Sequence, residues 1–122
     1  MTMTKNLLAA AEQGAARAQF ILGNMYRQGE GVAQDDAEAV RWYRLAAEQG
    51  YAKAQHNLGI LYDDGQGVAR DYAEAVRWYR LAAEQGLARA QYSLGLMYTI
   101  GWGVPQDHAE AMRWLGLAAE QS

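Results

Sequence analysis

Apolar residues along this chain recur at steps of three and four, the spacing that gathers side chains on one face of an α-helix. In one stretch Leu22 and Tyr26 stand four apart, accompanied by Ala16, Ala18, Gln19 and Gly23. In the next, Ala39, Val40, Trp42, Tyr43, Leu45, Ala46 and Ala47 set large groups among alanines around the helix. The first set returns as Ala52, Ala54, Gln55, Leu58, Gly59 and Tyr62, then as Ala88, Ala90, Gln91, Leu94, Gly95 and Tyr98. The string Ala-Ala-Glu-Gln occurs at 10–13, 46–49, 82–85 and 118–121, each copy 36 positions after the last. A fixed period of this length marks a helical solenoid, in which each unit buries its apolar face against its neighbours. Function in such a fold lies on a surface.

Each period divides into two helices at Gly29-Glu30-Gly31-Val32, Gly65-Gln66-Gly67-Val68 and Gly101-Trp102-Gly103-Val104. Two glycines spaced by one residue suit positive φ, and the valine plugs the turn into the core. Pro105 comes just after the third loop, ahead of a helix, where its missing N–H does no harm. The second helices start at Asp35, Asp71 and Asp107, with Glu38, Glu74 and Glu110 three residues on. The Asp accepts from the first turn, worth about 1 kcal/mol, and the Glu adds negative charge at the positive end of the dipole. Gly50 and Gly86 are the stops, with Ser122 in that place at the last copy. Gly23, Gly59 and Gly95 fall inside the first helices, at a cost of roughly 1 kcal/mol each against alanine. A tight crossing, each glycine facing an alanine of the partner helix, is the expected compensation. Residues 7–14 match the end of a second helix alone. The chain is thus expected to be all-α, with about seven helices: a half repeat at 1–14, then repeats at 15–50, 51–86 and 87–122, forming one domain over 1–122.

The motif A-x-A-Q-x-x-L-G-x-x-Y, then G-x-G-V, then D-x-A-E-A-x-R-W with L-A-A-E-Q-G, resembles Sel-one-like repeats, relatives of the tetratricopeptide class. The resemblance covers nearly the whole chain and implies an α/α superhelix, a right-handed solenoid. It also implies an adaptor or scaffold whose concave face holds a protein or peptide.

Composition narrows this further. Hydrophobic residues make up 51% of the 122 and charged ones 20%, which fits one globular unit with no second domain. Net charge is −3 and basic residues alternate with acidic ones, which argues against a nucleic-acid partner. Without cysteine there is no disulfide frame or thiolate site. No run approaches the ~20 apolar residues of a membrane span, and the first residues lack a signal-peptide stretch. A cytoplasmic location is the expectation, with the periplasm as the alternative if a leader has been removed.

Comparing the copies separates shared packing from individual roles. Phe20, His56 and Tyr92 are equivalent, as are Asn24, Ile60 and Leu96, then Arg27, Asp63 and Thr99, then Gln28, Asp64 and Ile100. These differing positions share one face of the first helix, with the basic set Arg17, Lys53 and Arg89 three residues before the first of them. By resemblance to tetratricopeptide modules the stripe is the concave face. Its aromatic row beside a cationic row suits an extended peptide or protein carrying acidic groups. The alternative is drift at exposed positions. Trp42, Trp78 and Trp114, and Met25 and Met97 with Leu61, recur in register and are expected in the core. Trp102 is either an exposed contact or packing particular to the last unit.

Catalysis finds little support. His56 and His108 lie more than a repeat apart, and His56 stands where Phe20 and Tyr92 stand, as an aromatic contact. Asp63-Asp64-Gly65 lacks the ligand series of a calcium loop, and the glycines form no phosphate loop. No enzyme, cofactor or metal is expected. The alternative to an adaptor is a structural segment, natural or designed, that self-associates through its terminal helices. Met112, Trp114, Leu115 and Leu117 on the last helix point that way.

Overall fold

The computed structural model describes residues 2–121, with side chains from Lys5 onward. Seven helices and no strand occur among them: α1 Thr2–Glu12, α2 Ala16–Gln28, α3 Asp36–Glu48, α4 Ala52–Asp64, α5 Tyr72–Glu84, α6 Ala88–Ile100 and α7 His108–Glu120. The expected all-α solenoid is therefore present. Ser122, placed at a helix stop by the sequence, lies outside the described residues.

The start signals act as their chemistry dictates. The carboxylates of Asp35, Asp71 and Asp107 accept from the backbone N–H of Glu38, Glu74 and Glu110 at 3.2, 3.1 and 3.1 Å. Those glutamates meet the arginine one turn on, at 3.4 Å for Glu38–Arg41 and 3.3 Å for Glu74–Arg77. Each of these guanidiniums also lies over the adjacent tryptophan, 4.4 Å from the ring centre of Trp42 and 4.3 Å from that of Trp78. At the other end Gly50 and Gly86 take φ of 91° and 94°, the left-handed turn that ends a helix and starts the next.

Hairpins α2–α3, α4–α5 and α6–α7 pack internally, and α3 also packs on α4, α5 on α6, and α1 on α2. Trp78, Tyr79, Leu58, Leu61, Leu94, Met97 and Trp114 share one continuous core, and Trp42 joins a smaller cluster with Ala11, Ala18 and Leu22 near α1. Val68 and Val104 pack against the main core from their loops.

The expectation that Gly23, Gly59 and Gly95 face alanines is not met. A Cβ on Gly23 would come within 2.5 Å of the Tyr43 ring, one on Gly59 within 2.7 Å of Tyr79, and one on Gly95 within 2.7 Å of Leu115. The crossing is close because a large side chain lies flat on the glycine's bare backbone. The alanines of the second helices, Ala47 and Ala83, are buried instead at the joint to the next repeat.

Glutamines run through those joints. Gln19, Gln55 and Gln91 each donate a side-chain N–H to a carbonyl of the preceding second helix, Ala11 at 3.1 Å, Ala47 at 3.1 Å and Ala83 at 3.2 Å. Their own carbonyls accept from Gln49, Gln85 and Gln121 at 2.8, 2.9 and 2.7 Å. Each of these helix-end carbonyls also accepts from the turn glycine, Gly14, Gly50 or Gly86, so the amide ladder supplies its second bond and ties it to the next repeat. It also explains the glutamine in both recurring motifs.

The loops dock on the preceding repeat. Gly67 has φ 73° and its Cβ position overlaps the Asp36 carbonyl, whereas Gly31, with φ 77°, would meet only the flexible end of Met25 at 3.2 Å. Gly67→Ala is therefore expected to cost about 3 kcal/mol, the sum of left-handed strain and backbone overlap. Gly31→Ala should cost about 1 kcal/mol from strain alone. Urea denaturation of both variants measures the difference.

Candidate partner-binding face

The first helices α2, α4 and α6 lie side by side. Asn57 of α4 donates to the Asn24 side chain of α2 at 3.4 Å, and His56 of α4 meets the Ser93 hydroxyl of α6 at 3.2 Å. The predicted stripe therefore crosses neighbouring helices, but its rows differ in depth.

Arg17, Lys53 and Arg89 are exposed, each second in its helix and without an ion-pair partner among the described residues. A cation in the first turn faces the positive end of the helix dipole, an unfavourable placement worth about 0.3–1 kcal/mol. Helix stability does not explain the choice of residue.

The row Phe20, His56, Tyr92 departs from the sequence expectation. His56 is 6% exposed and Phe20 half-buried, whereas Tyr92 is 54% exposed. Phe20 packs on Tyr43 and Tyr51, with ring centres 6.0 and 5.3 Å apart, and His56 packs on Tyr79 at 5.7 Å. These positions turn toward the tyrosine of the second helix and the start of the next repeat, so Phe20 and His56 serve as joint filler. His56 is thus corrected from a surface contact to a buried one. Identity of position across copies gave no sign of this, because depth depends on the neighbouring repeat that covers each position.

Members of the next two rows join hydrogen-bond networks. The Tyr43 hydroxyl donates to the Asn24 side chain, and the Tyr79 hydroxyl donates to the Asp63 carboxylate at 2.9 Å. The Thr99 hydroxyl donates to the Gly95 carbonyl at 3.0 Å. Ile60 is half-buried against the core, Arg27 is half-buried, and Leu96 is exposed. Burial raises the Asp63 carboxyl above its usual range, with the Tyr79 hydrogen bond pulling the other way. Gln28, Asp64 and Ile100 are exposed.

Sequence reasoning missed the grip of Arg44 and Arg80 on the next repeat. Arg44 donates to the Tyr62 hydroxyl, and Arg80 to that of Tyr98 at 2.6 Å. The signal was present in the chain as an arginine in two copies and Gly116 in the third. Trp102 stacks on Tyr72 of α5 with ring centres 4.7 Å apart and remains 44% exposed.

A groove of about 720 Å³ opens between α4, α6 and α7, walled by Ile60, Tyr92, Leu115 and Ala119, with Arg89 and Ser93 at its polar edge. Among the described residues no group of three or more His, Asp or Glu could hold a metal ion, and no helix is long and apolar enough to cross a membrane.

Known proteins share this geometry. The family model described as Sel1 repeat matches at residues 16–51, 52–87 and 88–122. No curated protein matches the chain. Among solved structures, a protective antigen of uropathogenic Escherichia coli strains displaying an SLR fold is 50% identical over 95% of this chain, with a TM-score of 0.94. The chain spans a quarter (25%) of that antigen's length. A Sel1 repeat protein from Oxalobacter formigenes is 41% identical, covering 100% of this chain and 92% of its own, with a TM-score of 0.90. Helicobacter pylori cysteine rich protein B is 21% identical over 96% of this chain and 89% of its own, with a TM-score of 0.73, a likeness of fold.

The burial of His56 has a measurable consequence. Desolvation first, and the charge of Arg89 second, lower its pKa from 6.5 to about 4. The unfolded chain then takes up this proton more readily than the folded one. The neutral ring's contribution is full above pH 6.5 and is lost as pH falls toward about 4, by up to about 3 kcal/mol. His56→Phe, which installs the ring found at Phe20, should remove that part of the pH dependence. Denaturation midpoints of both proteins across this range check it.

Proposed function

The chain belongs to the Sel1 repeat family, and from that premise we propose that it is a non-enzymatic scaffold binding an extended, acidic protein segment along α2, α4 and α6. Sel1 repeats are generally protein-interaction scaffolds. The observation that carries the proposal is the row Arg17, Lys53 and Arg89: three exposed cations with no ion-pair partner among the described residues, each placed against its own helix dipole. Such a row attracts carboxylates and sets the orientation of the segment that bears them. Tyr92 and Leu96 supply exposed apolar surface beside it, and Asn24, Arg27, Ile60, Asp63 and Thr99 form the partly buried floor.

Because Phe20 and His56 hold the joints, alanine there would remove structure together with surface. The exposed cations give a cleaner test. Arg17→Glu, Lys53→Glu and Arg89→Glu together should abolish capture of the partner while raising the melting temperature, since each change favours its helix by about 0.3–1 kcal/mol. Pull-down from a candidate host, alongside thermal denaturation, measures both. Undiminished capture by the triple variant would refute the assignment.

A second reading, self-association through α7, is favoured by Met112, which is 71% exposed where its counterparts Val40 and Val76 are buried. Large apolar groups left in water at a helix face promote pairing. Sedimentation at high concentration should then show a dimer that Met112→Glu converts to monomer. A wild-type chain that stays monomeric would count against this reading.

A further inference from the structure

At the joint between the second and third repeats, three residues depart together from their counterparts. Arg70, Tyr72 and Trp102 stand where the preceding joint has Gln34, Asp36 and Gln66. There Gln34 donates to the Asp36 carboxylate at 2.7 Å, a polar pair that satisfies itself. Here the loop before α7 lays Trp102 on Tyr72 at the start of α5, with ring centres 4.7 Å apart and planes 17° from parallel. The Arg70 guanidinium lies 5.7 Å from the centre of the same Tyr72 ring. Docking of the loop does not require the indole. Gly103 seats this loop on the Tyr72 carbonyl as Gly67 seats the preceding one on that of Asp36, where the neighbouring residue is Gln66. Nor does the patch depend on where the chain stops, because Glu30 and Gln66 are exposed although a repeat follows each of them. Trp102 is 44% exposed and Arg70 is exposed beside it. None of the three side chains makes a hydrogen bond or ion pair among the described residues, and the adjacent carboxylates of Asp71 and Asp107 cap α5 and α7. The polar groups left open are an indole N–H, a phenol O–H and a guanidinium, all of them donors, set around two stacked rings.

We propose that Arg70, Tyr72 and Trp102 form a second binding site, which takes a proline-rich segment of a partner in the polyproline II conformation. The site lies past the end of α6 opposite to Arg89, so it is separate from the cationic row. The chemistry of such a segment is the complement of this patch. Its backbone carbonyls make no internal hydrogen bonds, and each proline lacks the N–H that would call for an acceptor. Its rings dock on aromatic side chains, and its conformation is formed before binding, which keeps the entropy cost low. A sugar also lies flat on an indole, but its hydroxyls need acceptors as well as donors. The net charge of −3 disfavours a nucleic acid.

The indole N–H signals of the four tryptophans in a nitrogen-15 NMR spectrum provide the test. Titration of the whole chain with octaproline should move the Trp102 signal and leave those of Trp42, Trp78 and Trp114 in place, since these three are buried. An octapeptide of glycine and serine should move none of them. Trp102→Gln installs the residue of the preceding joint. It should keep the helical signal and bind octaproline about tenfold or more weakly, followed through the backbone signals of Tyr72 and Gly103. Arg70→Gln, a change at an exposed position, should weaken binding about threefold or more. Arg17→Glu, Lys53→Glu and Arg89→Glu together should leave octaproline binding unchanged, so either binding site can fail without the other. The proposal is overturned if octaproline moves the Trp102 signal no further than the glycine–serine peptide does, or if both Trp102→Gln and Arg70→Gln bind as wild type does. It is equally overturned if cellohexaose moves that signal and octaproline does not, which would make the occupant a sugar.

Discussion

No second helix in this chain can bury both of its sides within its own hairpin, and that constraint governs the molecule. Val40 and Val76 are buried, whereas their counterpart Met112 stands in water. The same sequence position is covered where the glycine loop of the next repeat lies against it, as Gly103 does against Val76. Cohesion therefore comes from nearest-neighbour coverage, as in other solenoids. Side chains that bridge neighbours, the glutamine ladder and the Arg44 and Arg80 contacts, fix how one hairpin seats on the next.

Periodicity made the architecture legible before any coordinates. The caps at Asp35, Asp71 and Asp107 and the left-handed glycines at 50 and 86 could be read from spacing and residue type, because those interactions are local. Less legible was anything depending on two repeats at once. The glycines of the first helices were expected opposite alanines and meet Tyr43, Tyr79 and Leu115 instead, since sequence alone does not say which side of the partner helix crosses. The depth of His56 escaped for the same reason.

Differences among the copies mix two causes. Some, such as His56 against Phe20, reflect alternative ways of filling a joint, and Ser93 on α6 is the neighbour that makes histidine acceptable there. Others, such as Gly116 against the arginines of the earlier copies, remove a side chain altogether. Constancy is equally ambiguous. The basic residues in each first turn vary only between arginine and lysine, yet they sit on the surface, where no packing demands them.

The rungs that join the repeats are neutral amides. Gln19, Gln55, Gln91 and their partners carry no net charge and do not titrate, so added electrolyte leaves them as they are. The ions of the outer face enjoy no such protection, because exposed charges are screened within about 8 Å at physiological ionic strength. Concentrated salt would thus strip the acidic guest proposed above from the superhelix while the spine beneath keeps its curvature, ready to be recharged on dilution.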